Sequence, residues 1–275
     1  MPIPATGPLS LSRFNVEVGV PSQARLSMSD ARVRSLTNAP NNNVRLSNAR
    51  GISSGLVFSV DVNNASSWSG SGGTWADLSG FNNHVTLSGN MTSSGNAMLF
   101  DGTNDVATAA HSTSLDIRRT ITLNVWFRLA AMPATWTNLI NKQDAAGTVA
   151  TRTYSAFINA AGYVHLCSAD VSGQEVLDTP SFIALNTWYN WTGTIDRNAG
   201  VMANYTNGVL SNTLAIRTTD TISHTNPLYI GITGGLVNGY NWLNGSIGIA
   251  QVYNRALTAA EVSTLFNAHR ARYGI

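Results

Sequence analysis

Three features of this chain predict an all-β protein built as a two-sheet antiparallel sandwich, with a short C-terminal helix and a small N-terminal arm. Apolar residues recur at every second position in run after run. Only 11% of the 275 residues are charged, too few for the polar faces of long amphipathic helices. Gly, Asn, Ser and Thr punctuate the runs at the spacing of turns. With 43% of residues hydrophobic, a substantial core is available without disulfides. Cys167 is the single cysteine and allows none; in Tyr163-Val164-His165-Leu166-Cys167 it reads as a small buried strand residue.

Residues 1–50 form the arm. Leu11-Ser12-Arg13-Phe14, Met28-Ser29-Asp30-Ala31-Arg32 and Leu46-Ser47-Asn48-Ala49-Arg50 make an internal repeat. Ser12 and Ser29 are natural helix N-caps, and Pro21 and Pro40 stop the turns that follow. Units this short cannot bury an apolar face alone, so they must pack on each other, on the body or on a neighbouring subunit. Arg13, Arg25, Arg32, Arg34, Arg45 and Arg50 face only Glu17 and Asp30 in this stretch, while the rest of the chain is slightly acidic. A basic arm on a near-neutral body is either an assembly arm that docks on an acidic surface or a solvated tail. We expect assembly, with oligomer formation, through those six arginines. Arginines without interleaved aromatics give no nucleic-acid signature, so none is expected as a partner.

Residues 51–55 read as a linker, and the body runs from 56 to 275. Leu56, Phe58 and Val60 alternate with Val57, Ser59 and Asp61. Ile121, Leu123, Val125, Phe127 and Leu129 keep period two over the clearest strand. Asn207-Gly208, between Met202–Thr206 and Val209–Asn212, is the strongest hairpin signal in the chain. Ile247, Ile249, Gln251 and Tyr253 share one face of a late strand. Thr258 with Glu261 forms a capping box ahead of Val262, Leu265 and Phe266, predicting the helix.

Two dense stretches sit between these runs. Trp75-Ala76-Asp77-Leu78-Ser79-Gly80-Phe81-Asn82-Asn83-His84 resembles the early turn of the laminin G-like, concanavalin A-like jelly-roll family. Leu99-Phe100-Asp101-Gly102-Thr103-Asn104-Asp105 resembles its next hallmark. Asn186-Thr187-Trp188-Tyr189-Asn190 and Tyr205–Leu210 are similar to its central strand and hairpin. The segments 243–247 and 252–258 are similar to its last strand and helix cap. The ordered set spans about residues 55–270. The resemblance implies a jelly roll whose loops meet a ligand, and it admits calcium, with Asp101, Asp105 and Asp61 as the carboxylates to hold it. A local Asx-turn at Asp101 is the competing reading. The arm resembles N-terminal segments of virion proteins of tailed bacteriophages.

The same superfamily hosts glycosidases, which need two carboxylates about 5–5.5 Å apart for retention. Glu17, Glu175 and Glu261 are the only glutamates, and no strand carries acids at i and i+2 or i+4 in a Glu-x-Asp-x-Glu arrangement. Glu175 reads as part of a turn with Ser172-Gly173-Gln174. The five histidines show no metal-ligand spacing, and His165 with Cys167 has no evident third group to orient a nucleophile–base pair. An enzyme is therefore not expected.

Sugar recognition would use loop aromatics against the C–H face of a pyranose, with Asn fixing hydroxyls. Tyr240-Asn241-Trp242, Trp136 and Trp68 fit that pattern, with packing as the alternative for each. Trp126, Trp188 and Trp191 sit in strand patterns and read as core. The expected function is a non-enzymatic virion protein whose jelly roll contacts host surface glycans from a tail fibre or spike. The alternatives are a capsid decoration or head-fibre protein held by its arm, and a bacterial surface lectin. Met1-Pro2-Ile3-Pro4 carries no export signature and no run approaches the ~20 apolar residues of a membrane span, so assembly in a host cytoplasm, exposure on the virion and no membrane insertion are expected.

Overall fold

The computed structural model describes residues 55–143, 152–232 and 242–275. The six arm arginines and residues Tyr240 and Asn241 lie outside the described residues, as do the arm's repeats and the linker up to residue 54. The strands are β1 (Leu56–Asp61), β2 (Thr74–Trp75), β3 (Val85–Ser88), β4 (Thr92–Ser94), β5 (Ala97–Asp101), β6 (Val106–Ala109), β7 (Thr120–Leu129) and β8 (Trp136–Gln143). They continue as β9 (Arg152–Asn159), β10 (Val164–Asp170), β11 (Gly173–Asp178), β12 (Tyr189–Asp196), β13 (Val201–Thr206), β14 (Val209–Ala215), β15 (Leu228–Ile230) and β16 (Asn244–Tyr253). One helix, α1 (Ala259–Tyr273), follows.

The strands form two antiparallel sheets. The first runs β14-β13-β12-β7-β16-β5-β4, with β1 also paired to β16, and the second runs β11-β10-β9-β8-β15-β6-β3-β2. Chain-distant strands lie side by side, as in β7 between β12 and β16, so the sheets are wound through each other as a jelly roll. Their apolar faces meet in one core that includes Val60, Leu123, Phe127, Trp191 and Ile247 from the first sheet and Tyr154, Ile158 and Leu166 from the second. Each such side chain, moved from water to the core, contributes ~1.5–3 kcal/mol. Trp75 is fully buried in this core.

The hairpin predicted at Asn207-Gly208 joins β13 to β14. Both residues have positive φ, 51° and 76°, as a two-residue turn between right-twisted strands requires. A Cβ at Gly208 would also press on Phe266 at 2.8 Å, so the turn leaves room for α1.

The helix starts where the capping box places it: the Thr258 hydroxyl accepts from the Glu261 N–H, and the Glu261 carboxylate accepts from the Thr258 N–H. It ends at Gly274 in the left-handed conformation. Its apolar face lies on the outer side of the first sheet, where Trp126 stacks between Phe266 at 5.7 Å and Tyr273 at 4.4 Å between ring centroids. This explains why β7, whose residues alternate so cleanly in sequence, is buried on both faces. Among the described residues, no helix is long and apolar enough to cross a membrane.

Candidate functional site

Among the described residues no helix packs on the outer face of the second sheet, and polar side chains gather there. Register fixes which side chains point there. On β9, Tyr154, Ala156 and Ile158 join the core, so Ser155 and Phe157 face outward. Cys167 and His165 of β10 lie opposite them, and Val176 and Asp178 of β11 lie opposite those in turn. On β8 the pairing shifts between Asn138 and Ile140. This bulge brings Asn138 opposite Phe157 and Asn141 opposite Ser155, so both amides turn outward although they are three residues apart.

Trp136, Arg152, Phe157, His165, Cys167, Gln174, Val176 and Asp178 line a cleft of about 370 Å³ on this face, within the ~300–1,000 Å³ range of small-ligand sites. Trp136 is half-buried at its edge, its ring 4.3 Å from that of His165. The Arg152 guanidinium lies 4.4 Å above the Phe157 ring and donates to Gln174 Oε1 at 2.6 Å. His165 Nδ1 contacts the Asp178 carboxylate. Burial lowers the His165 pKa below the ordinary imidazole value, against the opposing pull of Asp178. The ring is therefore neutral near pH 7, and the acceptor-only carboxylate keeps the proton on Nδ1.

Several polar atoms on this face are shielded from solvent and lack a hydrogen-bond partner among the described residues: both amide atoms of Asn138 and of Gln143, Asn141 Oδ1, Ser155 Oγ and His165 Nε2. Asn138, Asn141, Gln143 and Ser155 are wholly buried, and His165 is 7% exposed. An unmet buried polar group costs ~1–3 kcal/mol. Seven on one face would rival the ~5–15 kcal/mol stability of a whole domain. Buried groups of this kind are ordinarily completed by ordered water or by hydroxyls.

Cys167 and His165 are not poised as a nucleophile–base pair. Burial pushes the Cys167 thiol up to about 12, so it is no nucleophile at neutral pH. The expectation that His165 lacks an orienting group is corrected by Asp178, which holds the ring. Glu175 is likewise not in a turn but on β11, and with Asp170 it enters an ion network. Arg197 Nη1 lies 3.0 Å from Glu175 and 3.6 Å from Asp170, and Arg217 Nε donates to Asp170 at 2.8 Å. Burial raises the Asp170 pKa, but hydrogen bonds from Arg217 and Thr219 outweigh it and hold the carboxylate well below its ordinary value. A carboxylate so held cannot be a general acid.

The other predicted residues fall elsewhere. Trp68 is buried, and its ring N–H donates to Ser93 Oγ at 2.8 Å, so no sugar can stack on it. Trp136 opens a strand instead of riding a loop, and it does reach the cleft. Trp242 is half-buried just ahead of β16. Asp101 makes the Asx-turn, accepting from the Thr103 N–H at 2.7 Å. Asp105 accepts from the backbones of Asp101 and Asn90, and both oxygens of Asp61 accept from Arg272. The three carboxylates do not converge: among the described residues no three His, Cys, Asp or Glu side chains group to hold a metal. Asp77 binds the Ser59, Ser79 and Asn83 backbones, making the first dense stretch a structural corner.

A family profile described as the concanavalin A-like lectin/glucanases superfamily matches residues 101–263, more than half of the chain. The chain belongs to that superfamily. No curated protein matches this superfamily member in sequence. Its fold is similar to the binding domain of Paraclostridial Mosquitocidal Protein 1, at 20% identity and a TM-score of 0.60, over 78% of this chain and 52% of that one. It is also similar to a structure of botulinum neurotoxin type C, whose cell entry depends upon two ganglioside molecules, at 15% identity and a TM-score of 0.59, over 78% and 51%. Trypanosoma rangeli sialidase, solved with sialic acid, matches at 16% identity and a TM-score of 0.58, over 79% of this chain and 33% of the enzyme. This concanavalin A-like chain thus spans about half the length of the first two and a third of the last.

Sequence reading missed Asn138, Asn141, Gln143, Ser155, Gln174 and the role of His165. Polar residues on one face of a strand read as solvated by default. The available signal was their density in Trp136-Thr137-Asn138-Leu139-Ile140-Asn141-Lys142-Gln143, four amides and ammoniums in an eight-residue strand.

Proposed function

We propose that this jelly roll is a non-catalytic glycan-binding module and that the outer face of β8–β11 is its binding surface. The carrying observation is the conjunction on one face of an indole edge, a cleft of ligand size and buried amide and hydroxyl groups without partners. A pyranose presents apolar C–H groups on one face and hydroxyls around its rim. The C–H groups suit the electron-rich face of Trp136, and the hydroxyls can both donate, as His165 Nε2 requires, and accept. The superfamily contains both lectins and glucanases, and the paired arginines on Asp170 and Glu175 favour the former.

The finer reading places the module on a phage particle, with residues 1–50 as the anchor and host glycan as the target, because a basic repeat arm and a sugar-type face occur in one chain. A decoration role on the capsid is favoured instead if the arm, and not the cleft, carries the function. Glycan-array binding followed by titration calorimetry tests the proposal. Trp136→Ala should weaken binding by about 1 kcal/mol, roughly fivefold. Unchanged affinity in that variant, or release of reducing sugar by the wild type, refutes the site or its non-catalytic character. Deleting residues 1–50 should abolish co-sedimentation with particles while leaving glycan binding intact.

A further inference from the structure

We infer that the β8–β11 cleft selects an uncharged sugar and discriminates against glycans capped with sialic acid, uronate or sulfate. The inference deepens the glycan-binding reading and rests on it.

Three observations carry it. First, the exposed charge at the lip is negative: the Asp178 side chain is 53% exposed, whereas Arg152, the cation among the described lining residues, is 6% exposed. An incoming carboxylate or sulfate therefore meets the repulsive charge before any attractive one. Second, Arg152 is already engaged, stacked on Phe157 and donating to Gln174, so its fork is not presented as the bidentate clamp that acidic sugars are commonly given. Third, the contact of Asp178 with His165 Nδ1 leaves Nε2 as a lone pair without a partner on a residue that lines the cleft. A lone pair there accepts a hydroxyl proton and repels an anionic oxygen.

The test uses the full chain and matched glycan pairs, each a neutral hexose or N-acetylhexosamine core with and without a terminal sialic acid or sulfate. The neutral member should bind at least about tenfold more tightly than its acidic partner at low salt, a ratio that shrinks as salt screens the lip. Asp178→Asn, a change at an exposed side chain, should narrow the ratio by raising affinity for the acidic member. Equal or tighter binding of acidic glycans overturns the inference while leaving the glycan-binding reading intact. Binding of neutral glycans that Trp136→Ala does not weaken moves the site away from this face and overturns both. Failure to bind any glycan also overturns both.

Discussion

Arg197→Met should be among the most destabilising single substitutions in this domain. Arg197 follows β12 in the first sheet, is wholly buried, and reaches across to the second. Its Nη2 donates to Ser168 Oγ at 2.6 Å and its Nη1 to the Arg217 carbonyl at 3.0 Å, alongside the ion pairs to Glu175 and Asp170. Methionine fills most of the volume but leaves Asp170, 1% exposed, and Glu175 with only the partly exposed Arg217 as counter-charge. Breaking a buried pair by removing one partner costs about 3–5 kcal/mol. At roughly 2–4 °C per kcal/mol for a domain of this size, the melting temperature should fall by about 6–20 °C. Scanning calorimetry at pH 7 gives the fall directly, and urea titration gives the free energy. The triple variant Arg197→Met, Asp170→Asn, Glu175→Gln should recover much of the loss, because the uncompensated charge is then gone. A drop of under about 2 °C in the single variant would show that the guanidinium is not shielded between the sheets, and the reasoning would fail.

Four other outcomes follow from the same structure. Acid should destabilise the fold: a hydrogen bond from Arg255, outweighing the effect of burial, holds Glu261 at about 2, against 4.5 for a free glutamate. Its contribution is complete above pH ~4.5 and is lost as pH falls towards 2, so Glu261→Gln should flatten the melting curve in that window. Thr258→Ala removes the helix cap and should cost about 1 kcal/mol by urea titration, with reduced helical ellipticity. Gly248→Ala places a methyl against the Tyr273 hydroxyl and the Asn96 carbonyl at 2.8 Å, lifting α1 at a cost of about 1–3 kcal/mol; a red shift of Trp126 fluorescence would report it. Neutral-glycan affinity should fall with acid as His165, whose pKa lies below the ordinary 6.5, gains a proton on Nε2 and ceases to accept; an affinity unchanged while NMR shows the His165 ring gaining that proton would remove His165 from the site.

The body of this protein was legible because its signals are local. The capping box at Thr258 and Glu261 and the Asn207-Gly208 turn each state their geometry in a few adjacent residues, and alternation along β7 states its strand. The candidate site was less legible, for a reason found in β8. Period-two reading sends Asn138 and Asn141 to opposite faces, and only the bulge at Leu139 brings them together, a feature fixed by pairing with β9 and invisible along β8 itself. Arg197 failed for a related reason. Asp196-Arg197-Asn198-Ala199-Gly200 reads as a solvated turn, yet its arginine is captured by acids on β10 and β11, over twenty residues away in the chain.

The aromatic predictions divide along the same line. Trp68 and Trp136 both stand beside polar residues and look equally fit to meet a sugar. Their fates differ through what lies across from each. Ser93 of β4 receives the Trp68 indole N–H, whereas Trp136 borders a sheet face on which no helix packs among the described residues, next to His165 and the cleft. The first sheet spends its outer aromatics on holding α1, as the stack of Phe266, Trp126 and Tyr273 shows. Among the described residues the second sheet has no such helix, and its outward amides, hydroxyl and imidazole retain hydrogen-bonding capacity that these residues leave unused. That asymmetry between two sheets of one sandwich directs the search for ligand to β8–β11. It also separates the two roles proposed for the chain: substitutions on this face should alter recognition without affecting anchorage, and deletion of the arm should do the reverse.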